Sequence, residues 1–276
     1  MPNSTGATPI VLAEGWHVMH LFYHVDQAQW ALYGDDEKRQ AKTRLTELVQ
    51  EIRATPDTHL LIFSVVTSKA DLGFMLLTPD LQVANTYEKQ LGLSLGPEIL
   101  SPAYSYLSLT ENSEYTTSRD QFAAETLSAN HGLTADSPEF TAVLKDFDTR
   151  MAHYAKRRLY PVLSDWPVIC FYPMSKRRSG NDNWYSLPVE QRRRLMAGHA
   201  QVGQQYAGKI LQLITGSTGL DEYEWAVTLL AKNSGDLKAI IHDMRFDEVS
   251  ARYAEFGDFF IGLQLPLDVL FRRICL

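Results

Sequence analysis

Twice along this chain the hydrophobic pattern runs through the same succession: strand, amphipathic helix, two strands joined by a short turn, second helix, last strand. In the first pass, alternating or continuous apolar residues mark strands over 16–23, 59–66, 72–77 and 104–109. Helical spacing over 36–52 puts Leu45, Leu48, Val49 and Ile52 on one stripe, and a Pro79-Asp80 start signal opens a helix over 80–91. The second pass gives strands over 167–172, 210–215, 224–230 and 256–265, with helices over 188–206 and 236–244. Even the turns answer each other, Thr67-Ser-Lys-Ala-Asp71 against Thr215-Gly-Ser-Thr-Gly-Leu-Asp221.

A β-α-β-β-α-β unit that occurs twice leaves few ways to bury its apolar faces. It predicts an α+β fold of two tandem ferredoxin-like repeats, as in dimeric α/β-barrels, with antiparallel sheets covered by helices. The expected division is an N-terminal repeat over 1–111, a linker with partial helix over 112–157, and a C-terminal repeat over 158–276. The connection is polar at first, then helical around 140–154, and its length marks it as functional or mobile. With 276 residues and 45% hydrophobic content, the chain can build two such cores.

Charge and cysteine usage exclude several classes. The net charge of -7 and pI near 5.6 argue against nucleic acid, despite Lys176-Arg-Arg178 and Arg192-Arg-Arg194. Two cysteines, Cys170 in an apolar run and Cys275 near the C-terminus, make no disulfide framework and fit a reducing compartment. The N-terminal stretch lacks the basic and apolar regions of a signal peptide, and no apolar run approaches the roughly 20 residues of a membrane span. A cytoplasmic protein with no membrane span is expected. No Gly-x-Gly-x-x-Gly follows a strand, which disfavours a dinucleotide site.

One strand carries unusual chemistry. Tyr172, Met174 and Lys176 alternate in Cys170-Phe-Tyr-Pro-Met-Ser-Lys176, so a phenol, a thioether and an ammonium share one wall. On the helix that follows, Leu195, His199, Val202 and Tyr206 recur at helical intervals, placing His199 amid an apolar face expected to be buried. Such a histidine is either a core residue bonded to a backbone carbonyl or a ligand. Ala197, Gly198, Ala200 and Gly203 strip the helix of bulk around it, although glycine in a helix costs up to about 1 kcal/mol relative to alanine. Either a planar group or close helix-to-sheet packing would account for that. Gln212, a single amide between Ile210 and Ile214, points to a cavity-facing position. Basic residues at Arg157-Arg158, Lys176-Arg-Arg178 and Arg245 bracket one sheet and suit a ligand with several carboxylates, with the Ser250 hydroxyl close by.

These residues lie within blocks that closely resemble the coproheme decarboxylases of the chlorite-dismutase superfamily. The blocks are Arg158-Leu-Tyr-Pro161, Cys170 through Arg178, Asn183-Trp-Tyr-Ser-Leu187, His199, Tyr206-Ala-Gly-Lys209, Gln212, Ile214-Thr-Gly-Ser217, Glu224-Trp-Ala-Val-Thr228 and Met244-Arg-Phe-Asp-Glu-Val-Ser-Ala-Arg252. They span about a hundred residues; the first half matches more loosely through Gly15 to Tyr23, Lys69-Ala-Asp71 and Tyr104-Ser-Tyr106.

The resemblance implies peroxide-dependent oxidative decarboxylation of propionates 2 and 4 of iron coproporphyrin III (coproheme), giving haem b through a three-propionate intermediate and a tyrosyl radical. It implies that His199 is the axial iron ligand, Gln212 lies on the distal side, Tyr172 is the catalytic tyrosine, and Lys176 assists at the second propionate. Arg158, Arg245 and Ser250 would hold propionates, and Met174, Trp184 and Trp225 would line the pocket. A homopentamer, hydrogen peroxide as oxidant and a coproporphyrin ferrochelatase as candidate partner belong to the same expectation. The 112–153 connection and the apolar tail over 266–276 depart from the family pattern. Chlorite dismutase competes as an activity, although a distal arginine is associated with that chemistry and the matching position here is Gln212. A haem-binding protein without turnover is the other alternative.

Overall fold

The computed structural model describes residues 8–129 and 133–276. Most of the N-terminal stretch read above, and residues 130–132 of the connection, lie outside the described residues.

The first repeat comprises β1 (His17–Val25), a short α1 (Gln27–Leu32), α2 (Asp35–Ala54), β2 (His59–Val65), β3 (Leu72–Thr78), α3 (Leu81–Leu93) and β4 (Leu100–Thr110). Two helices follow, α4 (Arg119–Ala129) and α5 (Pro138–Leu159). The second repeat comprises β5 (Val168–Lys176), α6 (Val189–Gln204), β6 (Ile210–Gly216), β7 (Trp225–Ala231), α7 (Ser234–Met244), a short α8 (Glu248–Tyr253), β8 (Ala254–Phe256) and β9 (Phe260–Gln264), before a terminal α9 (Leu267–Arg273). The chain divides into two compact units: residues through Thr110 together with Leu163–Leu276, and Glu111–Val162. Within the smaller unit α5 is capped by Ser137, whose hydroxyl accepts from Phe140 N–H, and Phe122 stacks on Phe147 at 4.1 Å.

The two repeats pair their strands in the same order, β4-β1-β3-β2 and β9-β5-β7-β6, all antiparallel. Each then lends its edges to the other. β2 pairs with β9 at Phe63↔Gln264 and β4 pairs with β6 at Leu109↔Gly216. Among the described residues these pairings close an eight-stranded ring, which removes the free edges each half would expose alone. β8 extends the far end of β5 through Lys176↔Ala254.

Because side chains alternate across a strand, the ring carries two kinds of face. Its inward face forms one core from both repeats, including Phe22, Phe63, Tyr106, Phe171 and Leu230. The outward faces are covered by helices, α2 and α3 over one half and α6 and α7 over the other. The apolar tail belongs to the first of these, with Leu270 and Phe271 of α9 buried in it. Residues 256–265, expected as one strand, are split where the pairing with β5 shifts by one residue, from Met174↔Phe256 to Phe171↔Phe260, and Gly257 lets the chain pass so close to Pro173 that a Cβ there would lie 2.6 Å from the proline ring. Its N–H donates to Pro173 C=O at 2.9 Å, and β9 begins only at Phe260.

Candidate functional site

The outward face of β5 presents Cys170, Tyr172, Met174 and Lys176 in turn, as the alternation requires. Tyr172 is 6% exposed, its ring stacked on Phe259 at 4.4 Å and tilted against Phe256 at 5.7 Å. Burial pushes its phenol well above the usual range, while the positive charge of Arg245 acts in the opposite direction. The Arg245 guanidinium itself lies 4.3 Å from the centre of the Phe256 ring. Tyr172, Phe256 and Arg245 therefore form one contiguous group, although Arg245 follows α7 and Phe256 ends β8.

Lys176 is 8% exposed, with Nζ 5.0 Å from the centre of the Trp184 ring. Trp184 is fully buried, edge-on to Tyr253 at 5.2 Å, so it is the floor beneath the amine. Burial lowers the Lys176 ammonium to about 8, against the pull of Asp247 and Glu224. An amine there can change protonation near neutral pH.

His199 has a partner that spacing could not reveal. Its Nδ1 lies 2.9 Å from Asp247 Oδ2, in the turn before α8. Burial alone would raise the Asp247 carboxyl, but hydrogen bonds from His199, the Ser250 hydroxyl and Val249 N–H hold it below its ordinary value. An ionised carboxylate only accepts, so Nδ1 carries the proton that faces Asp247, and Nε2 is the ring nitrogen left to meet a ligand. This is the arrangement by which a second carboxylate orients a metal-binding imidazole.

The expected burial of this helix face is corrected by the structure. No residue of α6 is buried, and the His199 side chain is 22% exposed. Ala197, Gly198 and Ala200 are not buried, and a Cβ at Gly198 would meet nothing within 4 Å. Gln212 is exposed as well, on the outward face of β6 between half-buried Ile210 and Ile214. It stays near α6: a Cβ at Gly203 would lie 3.9 Å from its Oε1 and 3.4 Å from Met244 Cε. Tyr206, after the last turn of α6, donates its hydroxyl to Asp243.

Of the remaining sequence-derived residues, Met174 and Trp225 are half-buried and directly paired across β5 and β7. Ser250 is buried at the Asp247 carboxylate, and Arg245 is exposed. Arg158 belongs to the smaller, helical unit, where its Nε donates to Glu111 C=O at 3.1 Å. Sequence reasoning missed Asp247, Glu224, Phe256 and Phe259. Asp247 does carry a helix-start signal in Asp247-Glu-Val-Ser250, but nothing local shows that it also faces a histidine 48 positions earlier.

Among the described residues no group of three or more His, Cys, Asp or Glu could hold a metal ion. A metal bound through His199 must then bring most of its ligands with it, in a non-protein group. The low side-chain bulk on α6 and the carboxylate-oriented imidazole fit a flat macrocyclic chelate.

An eight-stranded α/β-barrel built from two ferredoxin-like repeats, with an imidazole fixed by a carboxylate on one covering helix, defines the class. The sequence model for chlorite dismutase matches residues 38–265. Over 98% of both chains the fold is similar to a haem-binding protein from Thermus thermophilus, with TM-score 0.79 and 36% identity. A mutant chlorite dismutase from Candidatus Nitrospira defluvii matches over 96% of this chain and 98% of its own, with TM-score 0.70 and 16% identity. The same enzyme in complex with imidazole matches over 96% and 97%, with TM-score 0.69 and 16% identity. The chain belongs to the chlorite dismutase family.

Proposed function

We propose that the second repeat binds iron coproporphyrin III and that the protein decarboxylates two of its propionates to vinyl groups with hydrogen peroxide, yielding haem b. The observation that carries this reading is the joint placement of buried Tyr172, buried Lys176 and carboxylate-fixed His199 on the second repeat. Per propionate the balance is simple: the carboxylate loses carbon dioxide, two electrons and one proton, and one peroxide is reduced to two waters. The bound iron, with peroxide, supplies the oxidising power.

The residues divide the remaining work. His199 Nε2 would hold the iron, with its ring oriented by Asp247 through Nδ1. The raised pKa of Tyr172 keeps its phenol protonated, so it gives up an electron and proton together and its oxygen then takes hydrogen from the propionate β-carbon. Lys176 pairs with a carboxylate and, titrating near 8, holds or releases a proton at Nζ. Arg245 and Ser250 would donate to propionates, Gln212 would face the bound group from β6, and Met174, Trp184 and Trp225 would complete the walls. Assembly as a homopentamer, a cytoplasmic setting and supply by a coproporphyrin ferrochelatase belong to the same proposal.

The test mixes purified chain with iron coproporphyrin III, adds peroxide stepwise and follows pigment masses. Two successive carboxyl losses through a three-propionate species are expected, and Tyr172→Phe should bind pigment without losing either. Unchanged masses in the wild-type chain would overturn the reaction. The names of the similar proteins favour a second reading, chlorite conversion by a haem-loaded chain. Oxygen release from chlorite, without decarboxylation, would establish it; Gln212 offers an amide donor without the positive charge of the arginine associated with that chemistry.

A further inference from the structure

Glu224 is a buried carboxylate that the proposed reaction does not use. It is 6% exposed, and a carboxylate so placed costs stability unless its oxygens are fully engaged. Its surroundings show the engagement. The β5–β7 ladder ends at the Met174↔Trp225 pair. Beyond it, Glu224 N–H donates to Met174 C=O at 3.1 Å and lies 3.2 Å from Ser175 Oγ, while Glu224 Oε2 accepts the Lys176 N–H at 2.8 Å. The carbonyl of Glu224 accepts from Ser217 N–H at 2.7 Å, and Oε1 lies 3.9 Å from Arg178 Nη1. A side chain has taken the place of a ladder rung where the strand delivers Lys176.

We propose that Glu224 is a positioning residue for Lys176: it clamps the end of β5 through the Lys176 amide and adds negative charge on the side from which that amine is delivered. The groups around that ammonium come from each neighbouring element. The turn before α8 gives Asp247, the start of β7 gives Glu224, and the segment after β5 gives the Trp184 ring. β8 lies alongside at Ala254, and its Glu255 carboxylate is turned to Arg177 at 3.6 Å. Asp247 and Glu224 both act on the ammonium; Asp247 also holds His199, and Glu224 alone of the two also holds the Lys176 amide. The lowered titration of the amine, near 8, is then a balance between burial and these two charges.

This inference rests on the reading of Lys176 as the group that meets the second propionate, so the test includes a readout independent of turnover. In full-length chain labelled with carbon-13 lysine, the Lys176 signal is assigned by its loss in Lys176→Arg and titrated by NMR. Glu224→Gln keeps an acceptor oxygen and removes the charge, and should lower the midpoint by about one pH unit. Glu224→Ala should lower it at least as far and speed exchange of the Lys176 amide. In turnover, Glu224→Gln should slow the second carboxyl loss selectively, so the three-propionate pigment accumulates. An unchanged midpoint in Glu224→Gln, or equal slowing of both losses, would overturn the proposal. A shifted midpoint in a wild-type background that performs no decarboxylation would uphold the clamp and sink the reaction.

Discussion

Helices α2 and α6 follow the first strand of their repeats and cover the same kind of sheet face, yet they are built to different ends. α2 packs Ala41, Leu45, Val49 and Ile52 against the sheet with no exposure at all. Its start is secured by Glu37, which accepts Gly34 N–H at 2.8 Å, and by acidic residues at the positive end of the helix. α6 buries none of its residues and has no side-chain cap. It is tied instead by polar contacts to the region after α7, His199 to Asp247, and to the end of α7, Tyr206 to Asp243. One repeat thus has a tightly packed covering helix, and its twin keeps one with an open face. Duplication lets the first half supply stability while the second half gives some up.

The sharpest way to break this contrast is a pair of truncations. Leu45→Ala should cost roughly 2–5 kcal/mol, because it empties a fully enclosed position, whereas Leu195→Ala in α6 should cost less than about 1 kcal/mol. Denaturant midpoints of both variants decide it; equal costs would mean that α6 is as firmly packed as α2.

A second test asks whether the halves unfold together. His20 on β1 is fully buried, and its Nε2 lies 2.8 Å from Thr228 Oγ1 on β7, so it joins the two repeats inside the ring. Burial lowers it to about 3. Below its ordinary pKa of about 6.5 the unfolded chain takes a proton that the folded chain refuses, so stability falls as pH drops. Between pH 6.5 and 5 the loss should be about 2 kcal/mol. The acid limb should flatten in His20→Leu, measured by urea unfolding across that range.

Asp247→Asn should have a smaller effect on the fold, about 1 kcal/mol, because the amide oxygen still accepts Val249 N–H at the helix start while the charge facing His199 is lost. Its signature is local: faster hydrogen exchange in α6 with α2 unchanged.

What the sequence made legible was what local patterning controls. Both β-α-β-β-α-β passes, the alternation of Tyr172, Met174 and Lys176, and the Asp80 start signal, where Asp80 accepts Gln82 N–H at 2.9 Å, all depend on neighbours within a few positions. The closures β2–β9 and β4–β6 depend on pairing across the two repeats, and no local pattern encodes them. The exposure of α6 was misread for a related reason. Leu195, His199 and Val202 are spaced as a core stripe, and whether such a stripe meets a sheet or an open face is decided by residues far away. The partnership of His199 with Asp247, and of Lys176 with Glu224, spans 48 positions in each case and is visible only once the ring is closed.

The division of labour between the repeats is tested most directly by hydrogen exchange on the full chain with and without iron coproporphyrin III. The ligand-free chain should exchange fast in Val189–Gln204 and slowly in Asp35–Ala54. Saturating pigment should then protect α6 and the outer ends of β5 to β7, leaving α2 and α3 unchanged. Protection that appears on α2 and α3, or α6 exchange that pigment leaves untouched, would contradict the account.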